Sequence, residues 1–307
     1  MPTSPQPDGL RTSHLHRGAA EGFGGDAERY DRARLATPRP VADAVLAYRA
    51  GHGARLGAAA GTDPAAVGSA TGPTPSAGTV AAPPRVLDVG IGTGLSALPF
   101  RAAGARVLGV EADARMAAVA RARGLDVEVA RFEGWDPGDR SFDVVASGMT
   151  WHWVDPVAGA AQAARVLRDD GVLAVFWHAA DLPSALRSAL HAVYSRDLAG
   201  TPGAGMYAPG RSAADGYEAM LDRAQDGLDE AGGFAVPERW RYTWQRQYTV
   251  ADWLDQVPTS GGFARLPEPL RHAVLDGTRS ALENELAGED GFTVDHTTVL
   301  LAARRRA

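Results

Sequence analysis

From Arg85 onward, short apolar, β-branched runs alternate with Ala/Arg/Leu stretches of helical spacing. The runs are RVLDVG (85–90), RVLGVE (106–111), DVEVARF (126–132), FDVVASG (142–148) and GVLAVFWH (171–178), and helical stretches near 94–103, 113–123 and 156–169 fill the gaps. Nearly continuous apolar runs bounded by turn residues and separated by helices predict βαβ units around a parallel sheet covered on both faces. With right-handed crossovers, five such strands make a doubly wound α/β fold. After His178 the rhythm breaks. Residues 181–233 read as helices interrupted by TPGAGMYAPG, and they precede the strand-like RYTWQRQYTV (241–250). Helices at about 251–257 and 267–287 lead to a last strand, FTVDHTTVLLAAR (292–304). A helical insertion between two late strands, beside the carboxyl ends of the sheet, is placed to act as a lid.

Ahead of this core, residues 26–50 carry helical spacing on both sides of a Pro38/Pro40 break, which predicts a helical cap over 23–50. Residues 1–22 are rich in Pro, Ser, His and Gly and read as a mobile terminus; His14 and His16 there have no metal-site spacing with acids. The stretch 51–84 is Gly, Ala, Thr, Pro and Ser with almost no large apolar residue. Such a composition buries too little surface to offset its ordering entropy, so a disordered insertion is expected, with the main domain spanning 85–307.

Composition narrows the chemistry. The 307-residue chain has no cysteine, which excludes disulfides, zinc–thiolate sites and thiol nucleophiles. All 31 Lys+Arg residues are arginine, so Schiff-base and phosphate-loop lysines are excluded as well. A net charge of −6 argues against a nucleic-acid partner, the Arg304–Arg306 tail notwithstanding. No apolar run approaches the roughly 18–20 residues that span a bilayer. The N-terminal stretch has no apolar signal core, so the expected setting is cytoplasmic, as a monomer or homodimer.

The first strand ends in Asp88-Val89-Gly90-Ile91-Gly92-Thr93-Gly94, a loop whose glycines allow a sharp turn and close approach to a ligand. The dinucleotide fingerprint requires glycine at the position held by Leu95, which counts against a nicotinamide oxidoreductase. The second strand ends in Glu111, an acid suited to a ribose diol. Directly after the fourth strand comes Trp151-His152-Trp153. If the strand continued, the tryptophans would face one way and His152 the other, leaving open which side lines a pocket.

VLDVGIGTG (86–94), VLGVEAD (107–113), ARFEGWDPGDRSFDVVASG (130–148), TWHWVDP (150–156) and ARVLRDDGVLAVFWH (164–178) together resemble the class I S-adenosylmethionine-dependent methyltransferases. AERYDRAR (27–34) and TVADWLDQVPTSGGFARLP (249–267) resemble segments of the trans-aconitate-methyltransferase-like branch, so the resemblance spans about 23–50 and 85–305. It implies a Rossmann-like sheet and S-adenosyl-L-methionine as cofactor. It also implies a loop of Gly90, Gly92 and Gly94 under the methionine portion, with Asp88 reaching that portion's amino group directly or through a water. Glu111 then holds the ribose, and Phe132 and Glu133 read the adenine, although Arg131 stands where the family usually has an acid. Tyr30 is similar to a tyrosine that closes the cofactor site in this branch. Thr259 and Ser260 are candidates for the acceptor pocket, and Trp177-His178 raises the same question as the Trp-His-Trp motif.

Methyl transfer from a sulfonium is an in-line displacement, so catalysis rests mainly on positioning, and aromatic faces stabilise the cation. An ionised carboxylate needs no base, whereas a hydroxyl usually does; His152 is the candidate base, and Trp151 and Trp153 are candidates for the pocket wall. The expected activity is methylation of N or O on a small-molecule or peptide natural product. A trans-aconitate-like carboxylate O-methyltransferase, using a pocket arginine such as Arg34, Arg39 or Arg131, and a non-catalytic cofactor-binding module are the alternatives.

Overall fold

The computed structural model describes residues 23–51, 82–210, 212–260 and 262–307. The expected mobile terminus (1–22) and nearly all of the 51–84 insertion lie outside the described residues. A seven-stranded sheet runs in the order β3-β2-β1-β4-β5-β7-β6. Its strands are β1 (Arg85–Val89), β2 (Arg106–Glu111), β3 (Asp126–Val129), β4 (Phe142–Gly148), β5 (Leu167–Asp181), β6 (Glu238–Tyr248) and β7 (Phe292–Arg304). β1 to β5 pair in parallel, and β7 is antiparallel to both β5 and β6. β4 is buried at every position, as its unbroken apolar sequence requires for a central parallel strand.

Side-chain parity divides the core into two layers. Leu87, Val145, Leu173, Val175 and Trp177 meet α5 (Pro156–Val166) and α7 (Glu218–Ala231) on one face. Val86, Val144, Val172, Ala174 and Phe176 meet α2 (Arg39–Arg49), Phe100 and Trp244 on the other. Trp177 and its neighbour His178 therefore project to opposite sides of the sheet.

The helical insertion falls between β5 and β6, as the sequence pattern indicates. It comprises α6 (Ser184–Asp197), α7 and short 3-10 turns. The apolar stripe Met220, Leu221, Ala224 and Leu228 makes α7 a covering layer of the sheet rather than a free flap. Two other departures from the sequence pattern are local. β3 stops at Val129, and Phe132–Gly134 form a 3-10 turn. The segment Trp151–Trp153 is also a 3-10 turn, not a continuation of β4. Among the described residues no helix is long and apolar enough to cross a membrane.

Candidate active site

At the carboxyl ends of β1, β2, β4 and β5 lies a cleft of about 680 Å³, part of it open to solvent. Its floor is the loop Gly90–Ser96, its β2 side is Glu111 and Met116, and its β4–β5 side is Met149, Thr150, Trp153 and His178. Tyr30, Leu35 and Thr37 close it from the N-terminal segment, and none of the described residues of 181–233 borders it. The chain ahead of α2, not the late helical insertion, is what covers this mouth.

Gly90 turns the chain with φ +65°, a region L side chains rarely adopt, and a Cβ there would clash with Thr150 Cγ2. The loop is then tied down by Glu111. Its Oε2 accepts from Gly92 N at 2.8 Å and its Oε1 from Asp113 N at 2.9 Å. Burial pushes the Glu111 carboxyl up, while these backbone donors oppose that. Each oxygen keeps a further lone pair for a ribose hydroxyl.

Asp88 is buried beneath the loop rather than in the lining itself. Ser96 donates its hydroxyl proton to Asp88 Oδ2 at 2.6 Å, but Oδ1 has no hydrogen-bond partner. Burial drives its pKa up to about 7; the Ser96 bond opposes this and nearby Glu111 adds to it. The Thr93 hydroxyl, which borders the cleft, is likewise buried without a partner. An orphaned carboxylate oxygen and an orphaned hydroxyl beside a glycine loop suit a ligand that brings both an ammonium and a carboxylate. The methionine portion of S-adenosylmethionine brings both, and Glu111 suits its ribose, so the residues present fit that cofactor.

Tyr30 is held over the cleft from both sides. Its helix α1 (Ala27–Ala33) is bound to Asp255 by Arg32 Nε at 2.8 Å and Arg29 Nε at 3.2 Å, and Asp31 pairs with Arg123. The Arg34 guanidinium lies 5.4 Å from the Tyr30 ring centre and donates from Nε to Thr259 Oγ1 at 2.8 Å. Thr259 and Ser260 thus face away from the cleft: both are buried, with hydroxyls bonded to Gln256 O and Val257 O. Burial pushes the Tyr30 phenol up, so it stays protonated.

The 3-10 turn decides the Trp-His-Trp question. At three residues per turn successive side chains point about 120° apart, so the strand alternation does not apply. Trp153 borders the cleft. Trp151 is buried with its ring centre 6.2 Å from that of Phe132. His152 lies behind the sheet's carboxyl edge, in a small separate cavity with Trp151, Pro156, Met220, Arg223 and Ala224. Its Nδ1 accepts from Trp177 Nε1 at 3.1 Å, and burial lowers its pKa to about 3. His152 thus faces away from the cleft and does not line it. Its replacement by Ala orphans a buried indole N–H, at about 1–3 kcal/mol. The expected result is a lower melting temperature with cofactor affinity unchanged; a selective loss of turnover without destabilisation would contradict this placement.

Phe132 and Glu133 do not border the cleft either. Phe132 is in the α5-side core, and Glu133 Oε1 accepts from Asp155 N at 2.9 Å, bracing the start of α5. The cleft residues that sequence reasoning passed over include Leu35, Thr37, Thr93, Ser96, Met116, Met149 and Thr150. Ser96, eight residues after Asp88 at the head of α3 (Ala97–Ala102), was open to inference; Thr37, delivered from a distant segment, was not. Among the described residues no group of three or more His, Asp or Glu is arranged to hold a metal ion.

The Methyltransf_11 family, a methyltransferase domain, matches residues 87–189. Uncharacterised methyltransferases of Mycobacterium tuberculosis (strain H37Rv) and Mycobacterium bovis are each 28% identical to the chain over 228 residues, covering 73% of it and 84% of the relative. A putative type II methyltransferase from Anaeromyxobacter dehalogenans matches with a TM-score of 0.45 and 19% identity, over 72% of this chain and 89% of that one. Phosphoethanolamine N-methyltransferase 2 of Haemonchus contortus, solved with phosphomonomethylethanolamine and S-adenosylhomocysteine, matches with a TM-score of 0.40 and 18% identity. That match covers 75% of this chain and only 50% of the nematode enzyme.

Proposed function

We propose that this chain, a class I S-adenosylmethionine-dependent methyltransferase, methylates a nitrogen or a hydroxyl oxygen of a small-molecule or peptide acceptor, and not a carboxylate. The observation that carries this reading is the lining at the β4–β5 end of the cleft. Cofactor-suited groups occupy the β1–β2 end, so the acceptor is left with Leu35, Thr37, Met149, Trp153, His178 and the face of Tyr30. No arginine borders the cleft among the described residues. The three that would serve a carboxylate are placed elsewhere. Arg39 pairs with Asp43 and Ala102 O, Arg131 is exposed, and Arg34 is turned onto Thr259. An anionic acceptor in this neutral, partly aromatic wall would have its charge buried without a partner.

Bound S-adenosylmethionine supplies an electrophilic methyl on a cationic sulfur. The chain contributes alignment: Tyr30 and Trp153 confine the acceptor, and their rings favour the cation. A lysine-free, Ala/Arg-rich composition is in keeping with a high-GC genome, where tailoring of natural products is a common use of this chemistry. The test uses methyl-labelled cofactor, the purified chain and small-molecule pools from its host, with products treated with mild alkali. Label in N-methyl or O-methyl ether groups resists alkali. Label released as methanol marks a methyl ester and would overturn this reading in favour of the carboxylate enzyme.

A further inference from the structure

Four side chains behind the β5 end of the cleft form a polar relay with one consistent direction. Trp244 Nε1 lies 3.4 Å from Thr298 Oγ1, Thr298 Oγ1 lies 2.9 Å from His178 Nδ1, and His178 Nε2 lies 3.2 Å from Thr37 Oγ1. Every member is buried, and His178 and Thr37 border the cleft. An indole N–H donates and never accepts, so Thr298 must be the acceptor of the first bond. The Thr298 hydroxyl proton then has one destination among the described residues, His178 Nδ1. The reverse arrangement leaves that proton with no acceptor on a fully buried residue, and buried polar groups in folded proteins are almost always hydrogen-bonded. Nδ1 is therefore the lone-pair nitrogen. Burial holds the His178 pKa at about 4, so the ring is neutral near pH 7 and carries its single proton on Nε2. Nε2–H donates to Thr37, and the Thr37 hydroxyl proton, with no acceptor of its own among the described residues, is free to turn into the cleft.

We propose that Thr37 is an acceptor-binding hydroxyl, its proton aimed into the cleft by the Trp244–Thr298–His178 relay, which selects acceptors carrying a neutral hydrogen-bond-accepting group such as an amide or ketone carbonyl. The proposal rests on the reading that the acceptor occupies the β4–β5 end of the cleft. Two consequences follow. His178 is a positioning residue, because its cleft-side nitrogen bears a proton and offers no lone pair. His152 is locked in the same tautomer by Trp177, so neither imidazole receives a proton from the acceptor, and the attacking atom must arrive with its own lone pair available.

The experiment uses the full chain loaded with S-adenosylhomocysteine. Multiple-bond proton–nitrogen NMR spectra at pH 7.5 should show His178 protonated on Nε2 only. Thr298→Val, which removes the hydroxyl that donates to Nδ1, should produce a mixture of tautomers. A wild-type His178 protonated on Nδ1 overturns the relay. Trifluoroacetamide, a neutral carbonyl probe, should show fluorine line broadening with the wild type and with Thr37→Ser. With Thr37→Val the broadening should fall about fivefold, the loss of one hydrogen bond. Absence of broadening with the wild type, or equal broadening with Thr37→Val, overturns the assignment. S-adenosylhomocysteine affinity should stay within about twofold in Thr37→Val, which also certifies folding; a loss beyond about tenfold moves Thr37 to the cofactor and overturns it too. Trifluoroacetate separates the two readings. If it is broadened in a Thr37-dependent manner and the amide is not, the relay stands, but the neutral-carbonyl selection and the non-carboxylate acceptor both fail.

Discussion

Asp88→Asn is expected to stabilise the free chain above pH 7 and, in the same protein, to weaken S-adenosylhomocysteine binding about tenfold or more. The two effects share one cause. The wild-type carboxyl is fully buried with one oxygen orphaned, and its pKa of about 7 stands well above the ordinary value of 3.8. A carboxyl whose folded pKa is raised supports the fold while it is protonated, and that support is lost as pH rises from the unfolded pKa through the folded one. Asn keeps the shape and still accepts from Ser96, yet never ionises. Variant and parent should therefore melt alike near pH 4, and the variant should pull ahead up to about pH 7, with an upper bound of order 4 kcal/mol. Binding runs the other way. The ammonium of the ligand finds a charge in the parent and only a dipole in the variant, and a hydrogen bond to a charged group contributes about 1.5–3 kcal/mol. Wild-type affinity should also fall as pH drops below about 7, where Asp88 must lose a proton to bind, and Asp88→Asn should lack that dependence. Thermal unfolding and calorimetry across pH measure both. A variant that melts lower than the parent at pH 8 and binds equally well would remove Asp88 from the cofactor site.

How much of this was legible beforehand varies with the physics behind each part. Five strands and the loop after β1 were readable because a parallel strand buried on both faces leaves little choice of residue, as β4 illustrates. The acids were readable too, since Asp88 and Glu111 end consecutive strands. What failed was local geometry with no periodic signature. Trp151–Trp153 follow β4 without an intervening breaker, and the sequence offered no sign that the chain would tighten into a 3-10 turn. That turn puts His152 behind the sheet and Trp153 in front of it. His178 illustrates the opposite case. Strand alternation says that Trp177 and His178 face opposite ways, but which way depends on packing against α2 and α7, which are far apart in sequence. Thr37 was illegible for the same reason. It reaches the cleft because Thr37 N donates to Leu95 O at 3.3 Å, a contact between segments on either side of the 51–84 stretch.

Glu111→Gln tests the loop more severely than its near-identical shape suggests, and it should cost nearly as much as Glu111→Ala. Both carboxylate oxygens accept from backbone N–H groups, Oε2 from Gly92 and Oε1 from Asp113. A glutamine has one oxygen to offer, so whichever way the amide is set, its NH2 faces another donor. One of the two backbone groups is then left without its bond, at about 1–3 kcal/mol. If Gly92 N is the one released, the loop loses the tie that fixes its height under the ligand. If Asp113 N is released, the start of α4 (Ala114–Ala122), where Asp113 caps Arg115 N, is loosened instead. The ribose hydroxyls also lose charged acceptors in either setting, worth about 1.5–3 kcal/mol for a bond to a charged group. The sum predicts a loss of S-adenosylhomocysteine affinity of roughly a hundredfold or more. Glu111→Asp keeps the charge but is too short to span both donors, so it should fall between the parent and Gln. The ranking by calorimetry decides the role. If Gln binds within a few-fold of the parent while Ala does not, the side chain acts by filling space, and the double backbone bond contributes little to the site.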